Sequence, residues 1–414
     1  MGYNIEELVG EKKEQIVQIM GHPLFVPFPR SIEDSYHFGW ARGICLFADT
    51  IYHSNWFNWL SILGKGEWKL GDPTPKIDMS PSGNDEVRKM MKKSYEPLSH
   101  RGLRAYEFLE WIGYAIGLSW FKKPSIDEKS WKHLYETFDF SKFYEFPSDY
   151  FSMFLAENGQ SGVADYFPTP LHVTIFMNKI LECNDREDEG SFIDTVWEPC
   201  VGTGAMTLPS TSLNIVAADL NHIMVRAAAI QAFFYKPSML YVPRPVVGIH
   251  ADPKTLTINR YYEFNTDTRI FNGNSLLGEF SCPKSIFLED SEFVEVYFGA
   301  IDLEKHEIYQ FEDELEKPWE TLDKELQIKI VQAMSREIQP QKVMTNPPFN
   351  MKLPSFEKAR IEEIHKRNEV FLEMRESKKR LALFQSIEKE VEEKIKIAAS
   401  DDRKTGKEQL MFVF

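Results

Sequence analysis

The stretch that most constrains this fold runs from residue 193 to residue 235. A short apolar segment, IDTVW (193–197), gives way to Glu198 and a turn through Gly202 and Gly204. A second apolar segment, LNIVAA (213–218), ends at Asp219 and leads into a helical pattern over 222–235. Apolar runs this short, punctuated by glycine and followed by a helical period, predict buried strands joined by crossover helices. A helix is expected over 170–183, and further strands at 239–248, 268–272 and 341–345. The pattern predicts an α/β protein with a parallel, doubly wound sheet.

The flanking sequence has a different texture. Helical periodicity over 4–20, 33–63, 86–121 and 126–156, broken by the Pro/Gly/Ser-rich loop 71–85, predicts a mainly α-helical N-terminal domain over 1–150. A core domain is expected over 151–355. It carries an acidic insert at 278–340, in which 285–312 alternates like an antiparallel hairpin ahead of a helix at 322–335. A charged helical segment is expected over 356–414. Net charge is −15, and residues 289–325 hold fourteen Asp or Glu against three Lys, so the insert is expected to lie away from DNA or to dock on a basic partner. Residues 87–108 reverse the sign, with six Lys or Arg interleaved with Tyr and Phe. That stripe suits either a phosphate backbone or a solvated helix face.

Four scattered cysteines without a CxxC pair argue against a disulfide framework or a zinc site. The most apolar stretch, 43–63, contains Asp49 and His53, so no membrane span is expected. The N-terminus lacks the basic start and apolar core of a signal peptide, and a cytoplasmic protein is expected.

Three segments carry chemistry. In VWEPCVGTGAM (196–206) a strand ends in an acid and turns through two glycines toward a helix, a layout that lets backbone approach a nucleotide-type cofactor. The alternative is a plain strand-to-helix turn. Asp219 follows Glu198 by 21 residues, near the spacing at which an acid on the next strand meets ribose hydroxyls. The alternative is an Asp capping the helix from 222. In KVMTNPPFN (342–350) the Asn346 amide oxygen and the Pro347 carbonyl can both accept from one planar amine. Pro347 and Pro348 stiffen the loop, and Phe349 can stack on a base taken out of the duplex.

Together these segments resemble the S-adenosylmethionine-dependent N6-adenine DNA methyltransferases, in particular the N-6 DNA methylase group that includes type I modification subunits. ADYFPTPLHVTIFM (164–177) is similar to the family's segment before the first strand, and EPCVGTG (198–204) to its cofactor loop. FNGNSLL (271–277) is similar to the segment that meets the cofactor's adenine, and NPPF (346–349) to the catalytic tetrapeptide. All occur in the family's order over 164–349. The resemblance implies a Rossmann-like methyltransferase fold, S-adenosyl-L-methionine as cofactor and no metal. It implies that Thr169, Pro170, Glu198, Pro199, Gly202, Gly204, Asp219 and Asn274 hold the cofactor, and that Asn346, Pro347, Pro348 and Phe349 serve catalysis.

Two departures stand out. Gly273-Asn274-Ser275-Leu276 stands where the family usually has Gly-Asp-Ser-Leu, although Asn can still accept a hydrogen bond. After NPPF the family's fold needs further strands, whereas a charged helical pattern and LMFVF (410–414) follow here. The sheet is therefore expected to be incomplete, finished by a second polypeptide, or the chain to be a cofactor-binding remnant. The expected activity is direct methyl transfer to adenine N6 in DNA, with DNA and a completing or specificity subunit as partners. The alternatives are an RNA base or a protein glutamine as acceptor, or a non-catalytic subunit.

Overall fold

The computed structural model describes residues 5–65, 67–69, 71–158, 167–183, 192, 194–240, 255–257, 268–283, 293–297, 310–315, 317–318, 321–335, 342–347 and 355–404. The N-terminal part contains helices α1 (Ile5–Glu11), α2 (Lys13–Met20), α3 (Arg42–Tyr52) and α4 (Asn55–Lys65), then a short strand β1 (Glu67–Lys69). Helices α5 (Asp85–Ser99), α6 (Ala105–Ile116), α7 (Glu128–Thr137), α8 (Ser141–Glu145), α9 (Phe151–Asn158) and α10 (Leu171–Cys183) follow. Local sequence sets several of these boundaries. Asn84 caps α5 by accepting from the Glu86 N–H at 2.7 Å, and Asp127 caps α7 by accepting from the Ser130 N–H at 3.0 Å. Helix α6 stops at Gly117, whose φ of +76° favours glycine.

Next come β2 (Thr195–Glu198), β3 (Asn214–Asp219), α11 (His222–Tyr235), β4 (Thr255–Thr257), β5 (Ile270–Asn274), β6 (Glu279–Pro283) and β7 (Phe293–Tyr297). Then follow α12 (Glu312–Leu315), α13 (Lys324–Ser335), β8 (Lys342–Val343) and α14 (Ser355–Lys404). The protein is α/β and mostly helical. Its main sheet has the order β7-β6-β5-β3-β2-β8, while β1 and β4 form a separate antiparallel pair. Strands β5, β3, β2 and β8 are mutually parallel and β6 and β7 antiparallel, so the sheet is mixed rather than wholly parallel. In register, Val196 faces Ile215 on one side and Lys342 on the other.

The antiparallel part begins earlier than 285, because Gly278, at φ +67°, turns β5 directly back into β6. The strand expected at 239–248 starts differently too. Met239 closes a 3-10 turn opened by Pro237, and residues 241–248 lie outside the described residues.

The N-terminal helices and the sheet share one continuous core. Helix α11 is buried on nearly every side, as an all-round apolar helix must be. The Trp56 indole N–H of α4 donates to the Phe233 carbonyl of α11 at 2.9 Å. Phe143 of α8 stacks on Phe234 with centroids 4.6 Å apart and planes 5° from parallel. Such ring pairs add about 0.5–1.5 kcal/mol each beyond the area they bury. Helix α14 belongs to a second unit, a charged helix of 50 residues.

Candidate active site

From β2 the chain moves to β3 and β5 on one side, and β8 is added on the other, so strand order reverses between β2 and β8. Open α/β sheets bind ligands outside the carboxyl ends of their strands at such a reversal. Glu198 is the last residue of β2. The Met344 N–H donates to the Trp197 carbonyl at 3.0 Å, which extends the β8 register and brings Thr345 to the same crevice.

Glu198 is fully buried. One carboxylate oxygen, Oε1, accepts from the Cys200 N–H at 3.1 Å, whereas Oε2 and the Thr345 hydroxyl have no hydrogen-bond partner. Burial pushes the Glu198 carboxyl up to about 8; the nearby Thr345 hydroxyl and the Cys200 N–H act in the opposite direction. The hydroxyl moderates that rise without reaching hydrogen-bond geometry. Buried polar atoms left without partners cost about 1–3 kcal/mol each, and such atoms call for an explanation. Here a ligand able to donate would supply one. The half-buried Cys200 thiol is itself pushed up to about 11 by burial, so it is no nucleophile at neutral pH.

Gly202 and Gly204 have φ of +54° and +100°, which side chains rarely adopt. The Gly202 N–H donates to Asp219 Oδ2 at 2.9 Å, and Asp219 Oδ1 accepts from the Asn221 N–H at 2.8 Å. Asn221 in turn caps α11 through the Ile223 N–H at 2.9 Å. Asp219 therefore fastens the glycine turn to the end of β3, and the cap belongs to Asn221. Burial raises the Asp219 pKa against the two backbone N–H groups that lower it. Each carboxylate oxygen keeps further acceptor capacity.

The remaining expected residues sit around this frame. The Pro199 carbonyl accepts from the Ser275 hydroxyl at 2.6 Å, which joins the turn to the end of β5. Asn274 Oδ1 accepts from its own neighbour, the Leu276 N–H, at 2.9 Å. The Pro170 carbonyl accepts from Val173 and Thr174 and so opens α10. Thr169 and Asn346, 177 positions apart, meet: Asn346 Nδ2 donates to Thr169 Oγ1 at 2.7 Å. Pro347 is exposed, while Pro348 and Phe349 lie outside the described residues.

Sequence reasoning missed the clamp behind the glycine turn. Gln231 Nε2 donates to Asp149 Oδ1 at 2.9 Å and to the Thr203 carbonyl at 2.8 Å. Ser152, bonded to Asp149, lies with its hydroxyl 2.5 Å from that of Thr203. A lone amide in the otherwise apolar run AAAIQAFFY was the available signal.

No family model, curated protein or solved structure matches the chain. Among the described residues no helix is long and apolar enough to cross a membrane, and no His, Cys, Asp and Glu cluster is suited to a metal. The arrangement combines one buried and one partly buried carboxyl group, a backbone turn open to close approach and a side-chain amide fixed by a threonine.

Proposed function

We propose that the chain is an S-adenosylmethionine-dependent methyltransferase acting on adenine N6 in DNA, with a Rossmann-like methyltransferase core. The Asn346–Thr169 hydrogen bond carries this reading, because it joins the two sequence segments expected at the methyl-transfer centre. The strand reversal between β2 and β8 supports the core assignment.

The residues present fit the cofactor. The unpartnered Glu198 Oε2 would accept from its ammonium group. The Gly202–Gly204 turn leaves room for backbone approach, and the spare acceptor capacity of Asp219 suits a ribose diol. Two carboxyl groups in one crevice favour a cationic ligand over a neutral one. When bound, the cofactor supplies an electrophilic methyl on a sulfonium that departs as a thioether.

The chain's own work is positioning and electrostatics. Donation of the Asn346 amide N–H to Thr169 leaves its oxygen free to accept one hydrogen of the target amine, and the Pro347 carbonyl can accept the other. Accepting both hydrogens returns electron density to a nitrogen whose lone pair is otherwise delocalised into the ring. The amine then gives up one proton to solvent as its new N–C bond forms. Pro347 offers no competing N–H, and Phe349 provides the stacking ring.

The test is transfer of tritiated methyl groups to duplex DNA, RNA and bulk protein by the parent and by Asn346→Ala. Label in DNA as N6-methyladenine, lost in the variant, is the expected result. Label confined to RNA or protein, or absence of cofactor binding by calorimetry, would overturn the reading.

A further inference from the structure

A cavity of ≈ 540 Å³ opens beside Thr169, which forms part of its wall; Asn346 does not. An occupant would therefore sit next to the reacting amine rather than on it. The wall combines the apolar and aromatic side chains of Met91, Tyr95 and Phe154 with the cations Arg88 and Lys92 and the acids Glu96, Asp149 and Glu157. That volume lies in the range of sites for ligands of nucleotide size. Aromatic and apolar surface suits a base of any identity, and flanking cations suit its phosphates.

Helix α5 continues the theme outside the cavity. Arg88, Lys89, Lys92 and Lys93 are all exposed along it. Arg88 and Lys92 make exposed ion pairs with helix neighbours, Asp85 at 2.8 Å and Glu96 at 3.2 Å, and Arg88 also donates to the Ser82 carbonyl. Exposed pairs of this kind contribute little and give way readily to a phosphate. In a chain of net charge −15, this basic surface adjoins the candidate centre through a shared cavity wall.

We propose that the cavity and the outer face of α5 hold the DNA strand that flanks the target adenine. A neighbouring base enters the cavity, and its phosphates lie on Arg88 and Lys92. This rests on the methyltransferase reading, and it joins the basic stripe of residues 87–108 to a cavity beside the candidate centre.

The experiment is fluorescence anisotropy of a fluorescein-labelled single-stranded DNA oligonucleotide over a salt series. It compares the parent, the double variant Arg88→Gln/Lys92→Gln, and Lys329→Gln as an exposed-lysine control on α13. The double variant should bind roughly tenfold more weakly at 0.1 M salt. Its log–log salt slope should be shallower by about 1.4, at ~0.7 per phosphate contact on a single strand. The control should match the parent. Unchanged affinity and slope in the double variant would overturn the proposal, as would a parent that binds no oligonucleotide at low salt. Calorimetry with S-adenosylhomocysteine on the same proteins separates the two readings. Intact cofactor binding with unaltered DNA binding sinks the strand site alone, whereas no cofactor binding by the parent sinks the methyltransferase reading.

Discussion

Replacing Glu198 by Gln should stabilise the ligand-free protein at neutral pH while destroying its cofactor site. An ordinary glutamate ionises near 4.5, and the buried Glu198 carboxyl near 8. Between those values the unfolded chain releases a proton that the folded chain keeps, so the unfolded state binds fewer protons and stability falls as pH rises. The contribution is fully present below about pH 4.5 and is lost by about pH 8. At pH 7, about 2.5 pH units above the unfolded value, the loss is ~3 kcal/mol at about 1.4 kcal/mol per unit. Glutamine escapes this loss. Its oxygen can still accept from the Cys200 N–H, and its amide can turn toward the unpartnered Thr345 hydroxyl.

With an unfolding entropy of ~2.1 cal/mol/K per residue over 414 residues, that difference raises the melting temperature by ~4 °C. Scanning calorimetry should find parent and variant within about 1 °C at pH 5 and separated by ~4 °C at pH 7. S-adenosylhomocysteine should raise the melting temperature of the parent and leave the variant unmoved. Titration of the parent near pH 7, in buffers of differing ionisation enthalpy, should show a proton released on binding, because an incoming ammonium draws the carboxyl back to its ionised form. A gap that does not change with pH, or a variant less stable than the parent at every pH, would refute the reasoning. Glu198 would then be ionised and paired.

Three further outcomes follow from the geometry. Thr169→Val removes the acceptor that orients Asn346, so kcat for DNA methylation should fall about 10- to 100-fold, the equivalent of one lost hydrogen bond of ~1.4–3 kcal/mol. Thr169→Ser, which keeps the accepting hydroxyl, should restore the rate. Asp219→Ala leaves the Gly202 and Asn221 N–H groups without their acceptor, and should cost about 1–3 kcal/mol by calorimetric melting as well as cofactor binding. Gly204→Ala should cost about 1–3 kcal/mol through its φ alone, because an added Cβ would meet nothing nearer than Thr207 Oγ1 at 3.5 Å.

The parts of the fold legible in the sequence are those written in local pattern. Helix α11 begins and ends where its apolar run does, and β3 is read as a strand because NIVAAD is buried almost throughout. The Thr169–Asn346 meeting was anticipated only through the resemblance, since no periodicity links positions 177 apart. The sheet's antiparallel part was read too late, because one glycine at 278 rather than a longer loop makes the reversal. Of the clamp on Thr203, only the lone Gln231 amide in an apolar run is visible in the sequence. Asp149 and Ser152 look like a local turn pair, and only folding puts them on the glycine turn with Gln231.

The two acids that the sequence singles out carry unequal weight once their partners are known. Asp219 has a structural occupation, since both its oxygens hold backbone N–H groups at the root of the glycine turn. A fold with no ligand would have reason to use an acceptor there. Glu198 has no such excuse. Its one backbone hydrogen bond, from the Cys200 N–H, could be accepted equally by a glutamine, and only the Thr345 hydroxyl favours the ionised carboxyl besides. A buried carboxyl kept near 8 weakens the folded state at neutral pH, where a neutral side chain of the same shape would not. Natural folds depart from local stability rules chiefly at functional sites. Glu198 is therefore the residue on which the proposed cation site most depends.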